Sequence, residues 1–217
     1  MVYSCAELTG CWPEIWNIVL AVLLTKPTGG LRPIGLFVAP IRIWMRCRYE
    51  EIRKWQAQNY RDCLYGGPSM GAQRAAWVAG HQAELGARDG EHMAMVLLDL
   101  AKCFELVPHD VLLECALFYG YPLLQLRMAW AGYRLKRVVG LNGVYSTAVR
   151  ATRGIVAGSV FACTELRLLL LKCIDAGNAL FGELHANKWL WVYVDDITVI
   201  WKAISWKQAA DGAARVA

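Results

Sequence analysis

Between residues 189 and 201 the chain reads Trp-Leu-Trp-Val-Tyr-Val-Asp195-Asp196-Ile-Thr-Val-Ile-Trp. Two runs of β-branched and aromatic residues around a short polar tip describe a β-hairpin with both acids at its end. Adjacent carboxylates repel each other. Such a tip is either a solvated turn, which Asp favours in any case, or a holder for a cation, and Mg²⁺ there would bring phosphoryl chemistry into view. A third carboxylate arriving from another strand distinguishes the two.

The segment Met93-Ala-Met-Val-Leu-Leu-Asp99-Leu-Ala-Lys102 supplies a candidate. Its apolar run has the length and composition of a buried strand, with Asp99 where the strand ends. Asp99 is a metal ligand if it meets the hairpin tip, and a cap or salt-bridge acid beside Lys102 if it does not.

Asp99 followed by Phe104-Glu105 and Val107-Pro-His109, then Gly154-Ile-Val-Ala-Gly158-Ser159, then Tyr193-Val-Asp195-Asp196, resembles the ordered motif series of the reverse transcriptases. Upstream, Leu23-Leu-Thr-Lys26-Pro-Thr-Gly-Gly-Leu-Arg32-Pro-Ile-Gly-Leu is similar to the nucleotide-gripping fingers motif of that family, in the style of non-LTR retroelement and group II intron enzymes. The resemblance implies an RNA-directed DNA polymerase acting on an RNA template, a DNA primer and dNTPs. It also implies two Mg²⁺ ions, with Mn²⁺ as a substitute, held by Asp99, Asp195, Asp196 and the Leu100 carbonyl. By the same resemblance Lys26, Arg32, Phe104 and Gly158 meet the nucleotide, Phe104 lying under the sugar and disfavouring a 2′-hydroxyl, and Tyr193 flanks the primer end. Without the family, Phe104 reads equally as a core ring, and Lys26 and Arg32 as an ordinary solvated hairpin. The chain departs from the family at Ala157, where Gln is usual, and at Val160, often Pro; the first change removes a polar contact near the nucleotide.

The implied fold is α+β: a polymerase palm, an antiparallel sheet backed by helices, carrying a fingers lobe. With no linker, repeat or low-complexity tract, residues 1–217 are expected to form one domain, about 1–90 mostly fingers and about 91–217 mostly palm. The family's thumb would follow the acid hairpin, so the expectation is a piece truncated at its C-terminus, with a thumb or other domains supplied elsewhere. A catalytically inactive relic that only binds nucleic acid is the alternative expectation.

Hydrophobic residues make up 57% of the chain and charged ones 19%, which excludes a disordered segment, and the net charge of +5 leans mildly toward polyanions. No apolar run free of charge reaches the roughly 20 residues of a membrane span. Eight cysteines without a C-x-x-C pair read as reduced thiols of an intracellular protein, nucleus and cytoplasm being undistinguished, and the four histidines have no zinc spacing. His109, after Pro108, reads as a helix-start residue.

Further elements follow from pattern. A strand is predicted over 31–37, and a helix over 41–58 with Ile41, Trp44, Met45, Ile52 and Trp55 on one face. Its basic residues either track a nucleic-acid backbone or form a solvated face balanced by Glu50 and Glu51. Helices are also predicted over Ser69–Ala87, Pro108–Tyr119, Pro122–Arg137 and Phe161–Leu180, and a hairpin turning at Asn142-Gly143.

Overall fold

The computed structural model describes residues 1–27, 29–67, 70–181 and 188–215. Thr28 of the Lys26–Arg32 segment, the Pro68 breaker, the expected helix start at Ser69, and His185 lie outside the described residues. The chain divides into two compact units, one of Met1–Asn59 with Lys102–Leu169, the other of Tyr60–Ala101 with Leu170–Ala217. The division therefore does not follow the expected boundary near residue 90.

In the first unit, β1 (Ile18–Thr25) pairs antiparallel with β2 (Leu31–Phe37) and parallel with β4 (Lys136–Leu141). Two short strands, β5 (Val144–Tyr145) and β6 (Val149–Arg150), both pair antiparallel with β4. The sheet is thus mixed rather than wholly antiparallel, because the long stretch between β1 and β4 has room for a crossover. Asn142 and Gly143 close the β4–β5 hairpin with φ of 49° and 81°, the two positive values that a type I′ turn needs.

The predicted 41–58 helix is two: α2 (Ala39–Cys47) and α3 (Tyr49–Gln58), broken at Arg48, whose guanidinium donates to both Glu7 carboxylate oxygens at 2.7 and 2.8 Å. Glu7 belongs to α1 (Val2–Thr9), a helix that carries no strong start signal. The apolar positions of α2 and α3 are buried as their spacing requires. On α3, Arg53 and Lys54 are balanced by ion pairs with Glu50 and Glu51, whereas Arg42 and Arg46 of α2 join no ion pair among the described residues. Trp44 anchors this core edge-on to Trp12 and Phe161, while its indole N–H donates to Glu7 at 2.7 Å. α5 (His109–Phe118) and α6 (Leu123–Tyr133) complete the packing around Tyr121, Leu126, Met128 and Tyr133. α6 stops at Tyr133, short of the expected Arg137, because Lys136 and Arg137 already pair with Ile18 and Val19. The long helix α7 (Ala162–Phe181) runs from the first unit into residues of the second.

The second unit is built on a three-stranded antiparallel sheet, β3 (His92–Asp99), β8 (Asp196–Ala203) and β7 (Lys188–Tyr193), with β8 central. Successive side chains alternate between faces. On one face Tyr65, Trp191 and Ile200 pack with Ala75, Val78 and Ala79 of α4 (Ala72–Arg88). On the other, Gly212 of α8 (Trp206–Ala214) lies flat on the Trp201 indole, and the Trp206 ring stands 4.7 Å from that of His92. β3 is an edge strand, and Leu97 is 72% exposed. The expectation of a buried strand fails here: among the described residues β3 has a strand neighbour on one side only, and Met95 and Leu97 on its face are left exposed. Arg61 grips Asp175 through two bonds of 2.7 and 3.0 Å. No disulfide joins the cysteines, and no helix among the described residues is long and apolar enough to cross a membrane.

Trp44→Ala removes a fully buried ring together with its bond to Glu7, and is expected to cost about 3–5 kcal/mol. Urea unfolding followed by far-UV circular dichroism measures this as a fall in midpoint at unchanged slope.

Candidate active site

Antiparallel register sets Asp99 directly opposite Asp196, so both side chains leave the same face of the second unit's sheet. The Leu100 amide donates to the Asp195 carbonyl at 3.4 Å, tying the end of β3 to the hairpin tip. At that tip Val194 has φ of 58°. This is the first loop position of a two-residue hairpin, where a positive φ matches the strand twist and where glycine is usual. A β-branched residue held there is strained.

Burial, and then the charges of Asp195 and Asp99, raise the Asp196 carboxyl above its ordinary pKa. Among the described residues no three His, Cys, Asp or Glu side chains already surround a point where a metal ion would sit. The acids instead form an opposed pair, Asp99 and Asp196, with Asp195 next in the chain. As donors they suit a hard dication such as Mg²⁺: all are carboxylate oxygens, and their mutual repulsion is what such an ion offsets. Tyr193 is paired with Asp196 in register and is half-buried against the Tyr65–Trp191–Ile200 cluster.

The remaining predicted residues belong to the first unit. Lys26 closes the β1–β2 turn, its amide donating to the Gly30 carbonyl at 3.1 Å, and Arg32 stands opposite Leu24. Both are exposed. Phe104 is half-buried, and its carbonyl accepts from the Ile155 amide at 2.8 Å. That bond is one of several that fix the loop from Gly154 to Ser159. The Gly154 amide donates to Val107 at 2.8 Å and the Gly35 amide of β2 donates to Ala157 at 3.1 Å. Gly154 has φ of 85°, and a Cβ there would lie 2.5 Å from the Glu105 carbonyl oxygen. Gly158 has φ of 144°, and its Cβ would overlap the Gly35 carbonyl. The close approach that demands glycine at 158 is therefore to β2 itself. Where the family has Gln, Ala157 serves the loop through its backbone.

Three side chains that the motifs did not single out support this loop. The Trp130 indole N–H donates to His109 Nδ1 at 2.6 Å, so the proton of the neutral ring sits on Nε2, which donates to the Gly154 carbonyl at 2.9 Å. Burial lowers the His109 pKa, consistent with a neutral ring. The Tyr133 hydroxyl lies 3.1 Å from Ser159 Oγ and donates to Glu165. Glu165 is wholly buried, and burial pushes its pKa up to about 8. Pro108 before His109 was the one local signal; nothing near Glu165 in sequence marks its partner.

No protein-family model matches the sequence, and no curated protein matches it. Solved structures do. A telomerase from Candida tropicalis truncated from its C-terminal domain superposes with a TM-score of 0.61 at 12% identity, over 94% of this chain and 47% of that one. Over the matched length the two share a fold. The Candida tropicalis telomerase in complex with a TWJ fragment of telomeric RNA gives a TM-score of 0.60 at 12% identity, over 91% of this chain and 38% of that one. The corresponding Candida albicans complex gives 0.57 at 11%, over 99% and 42%. The chain spans less than half the length of these structures, and it shares with them an α+β fold of palm type, sheets backed by helices.

Two substitutions test the site's framework. An acid whose folded-state pKa is raised favours folding while protonated; its contribution is intact below the unfolded value near 4.5 and is lost as pH rises toward 8. Glu165→Gln keeps the acceptor for Tyr133 without the ionisation. Its melting temperature relative to the wild type is therefore expected to climb between pH 5 and pH 8, by at least about 5 °C, in scanning fluorimetry. Val194→Gly relieves a strained φ but frees the unfolded chain. If strain dominates, chemical denaturation shows stability unchanged or raised, in contrast to the loss of about 1 kcal/mol that a strand glycine ordinarily causes.

Proposed function

We propose that the chain is the fingers and palm part of an RNA-directed DNA polymerase, joining dNTPs to a primer 3′-hydroxyl on an RNA template. The observation that carries this is the juxtaposition of Asp99 and Asp196 across β3 and β8, with Asp195 beside them, in a chain whose other motifs fall in reverse-transcriptase order. The telomerase fold and the RNA in two of those structures support it further.

In this proposal Asp99, Asp195 and Asp196, with the Leu100 carbonyl, hold two Mg²⁺ ions. When bound, such ions lower the pKa of a hydroxyl and offset the charge of a polyphosphate. The protein's own residues do the rest. The carboxylate oxygens are the ligands, and the bond between Leu100 and Asp195 holds the two strand ends in register. Lys26 and Arg32 recognise the triphosphate, Lys as a point charge and Arg as a fork. Phe104 disfavours a ribose 2′-hydroxyl, the Gly158 loop positions the nucleotide, and Tyr193 borders the primer end. The primer oxygen attacks the α-phosphorus, the new P–O bond forms as the bond to pyrophosphate breaks, and the hydroxyl proton leaves to solvent.

An inactive relic that binds nucleic acid is the alternative, favoured by Ala157 in place of Gln and by the lack of a three-ligand cluster among the described residues. Primer extension on an RNA template with Mg²⁺ or Mn²⁺ separates the two. The wild type is expected to incorporate dNTPs and Asp195→Asn to fall at least about 100-fold below it, a loss of about 2.7 kcal/mol of transition-state stabilisation. Absence of incorporation in both favours the relic, and equal incorporation removes Asp195 from the chemistry.

A further inference from the structure

We infer that a small cleft of the first unit is a binding site for a neutral molecule carrying a carboxamide group. The cleft measures about 50 Å³, and the residues lining it all belong to that unit. Val19 of β1, with Ile155 and Val156 of the Gly154–Ser159 loop, gives it apolar walls. Two charged side chains line it as well, Glu105 and Arg137 of β4. Arg137 donates from Nη2 to the Tyr133 carbonyl at 3.2 Å, yet its Nε is buried without a hydrogen-bond partner among the described residues. Glu105 joins no ion pair among the described residues, with Arg137 or with any other cation. The two still feel each other: burial lowers the Arg137 pKa, and the charge of Glu105 opposes that fall. A donor and an acceptor thus share one cleft without meeting.

That arrangement selects its ligand by charge. An anion satisfies Arg137 but is repelled by Glu105, and a cation does the reverse. Water can bridge the two, but the apolar walls deny it the further partners that hold a buried water in place. A carboxamide meets every requirement. Its carbonyl oxygen accepts from Arg137 Nε, its N–H donates to the Glu105 carboxylate, and its alkyl end lies on the apolar wall. Both bonds have an ionised partner, which makes them shorter and stronger than neutral ones. Volume limits the alkyl end: one water needs roughly 10–15 Å³ of such space, so the cleft of about 50 Å³ admits roughly four heavy atoms. A nucleobase is too large to enter. The walls are preformed, the Ile155 amide being bonded to the Phe104 carbonyl at 2.8 Å and the Gly35 amide to the Ala157 carbonyl at 3.1 Å. Little ordering is left for the ligand to impose. An occupant bridges Glu105 to β4 with the Gly154–Ser159 loop as its wall, and this needs nothing from the chemistry proposed at the acids.

The test uses three isosteric probes, acetamide, acetate and acetamidinium, one neutral, one anionic and one cationic. Each is titrated into the 217-residue chain and followed by saturation-transfer difference NMR at its methyl protons. Acetamide is expected to saturate with a dissociation constant of about 1–50 mM, the range open to so small a ligand. The two ions are expected to bind at least about tenfold more weakly, because each meets one like charge. Glu105→Gln is expected to reverse the order, acetate then binding more tightly than acetamide, since Arg137 is left without an opposing charge. Ala157 lines the same cleft, so Ala157→Gln carries a carboxamide into it on the chain itself and is expected to abolish the acetamide signal. Circular dichroism verifies that each variant folds; if Ala157→Gln does not, the reversal in Glu105→Gln decides alone. No saturable acetamide signal up to about 100 mM overturns the proposal. So does equal saturation by all three probes, an order of affinities that Glu105→Gln leaves as it is, or acetamide binding unchanged in folded Ala157→Gln.

Discussion

Across β3 and β8, Asp99 faces Asp196 at the distance of an ordinary cross-strand pair, and two like charges at that separation oppose the pairing. Everything else in the second unit's sheet works against that repulsion. Ile200 and Trp191 are locked on one face by Tyr65 and α4, and Trp201 on the other by the notch at Gly212. A slip of one residue would turn each of these side chains to the wrong layer. The apolar strand bodies therefore dictate where the acids stand, and the acids have no freedom to separate. Burial first, and then the neighbouring charges of Asp195 and Asp99, raise the proton affinity of Asp196.

The first unit solves a related problem with neutral groups. The loop from Gly154 to Ser159 buries Ile155 and Val156 and is fastened by backbone bonds to Phe104, Val107 and Gly35. His109 and the Tyr133–Glu165 pair brace it from behind. Keeping His109 and Glu165 uncharged avoids placing ions in a poorly solvated core. The neighbouring carboxylates Asp99, Asp195 and Asp196 thus stand in the second unit, while the first unit's buried Glu165 is paired with a neutral hydroxyl.

Much of this was legible in local pattern. The Asn142-Gly143 turn, the strand over Leu31–Phe37, the helix after Pro108 and the acid hairpin each depend on residues within a few positions of one another, and each forms where the sequence indicates. What the pattern could not convey is partnership at a distance. The parallel pairing of Ile18 with Lys136 ends α6 early and makes the sheet mixed. Arg48 breaks a periodic helix where its guanidinium meets Glu7. Met95 and Leu97 look like core residues but lie on an edge. At the site, the acids and glycines were visible as motifs, whereas Glu165 sits in an apolar helical run with its partner Tyr133 far off in sequence, so neither its burial nor its role had a local sign.

The placement of β3 and β8 at distant points of the chain also bears on how the protein emerges from a ribosome. β3 is complete at Asp99, but β8, its one strand neighbour among the described residues, begins at Asp196. At ordinary elongation rates of about 5–20 residues per second, the nascent β3 waits roughly 5–20 seconds with its backbone donors unclaimed. During that interval the segment has the character of an aggregation-prone strand, and its fate depends on whatever shields it in the cell until the acid hairpin is made.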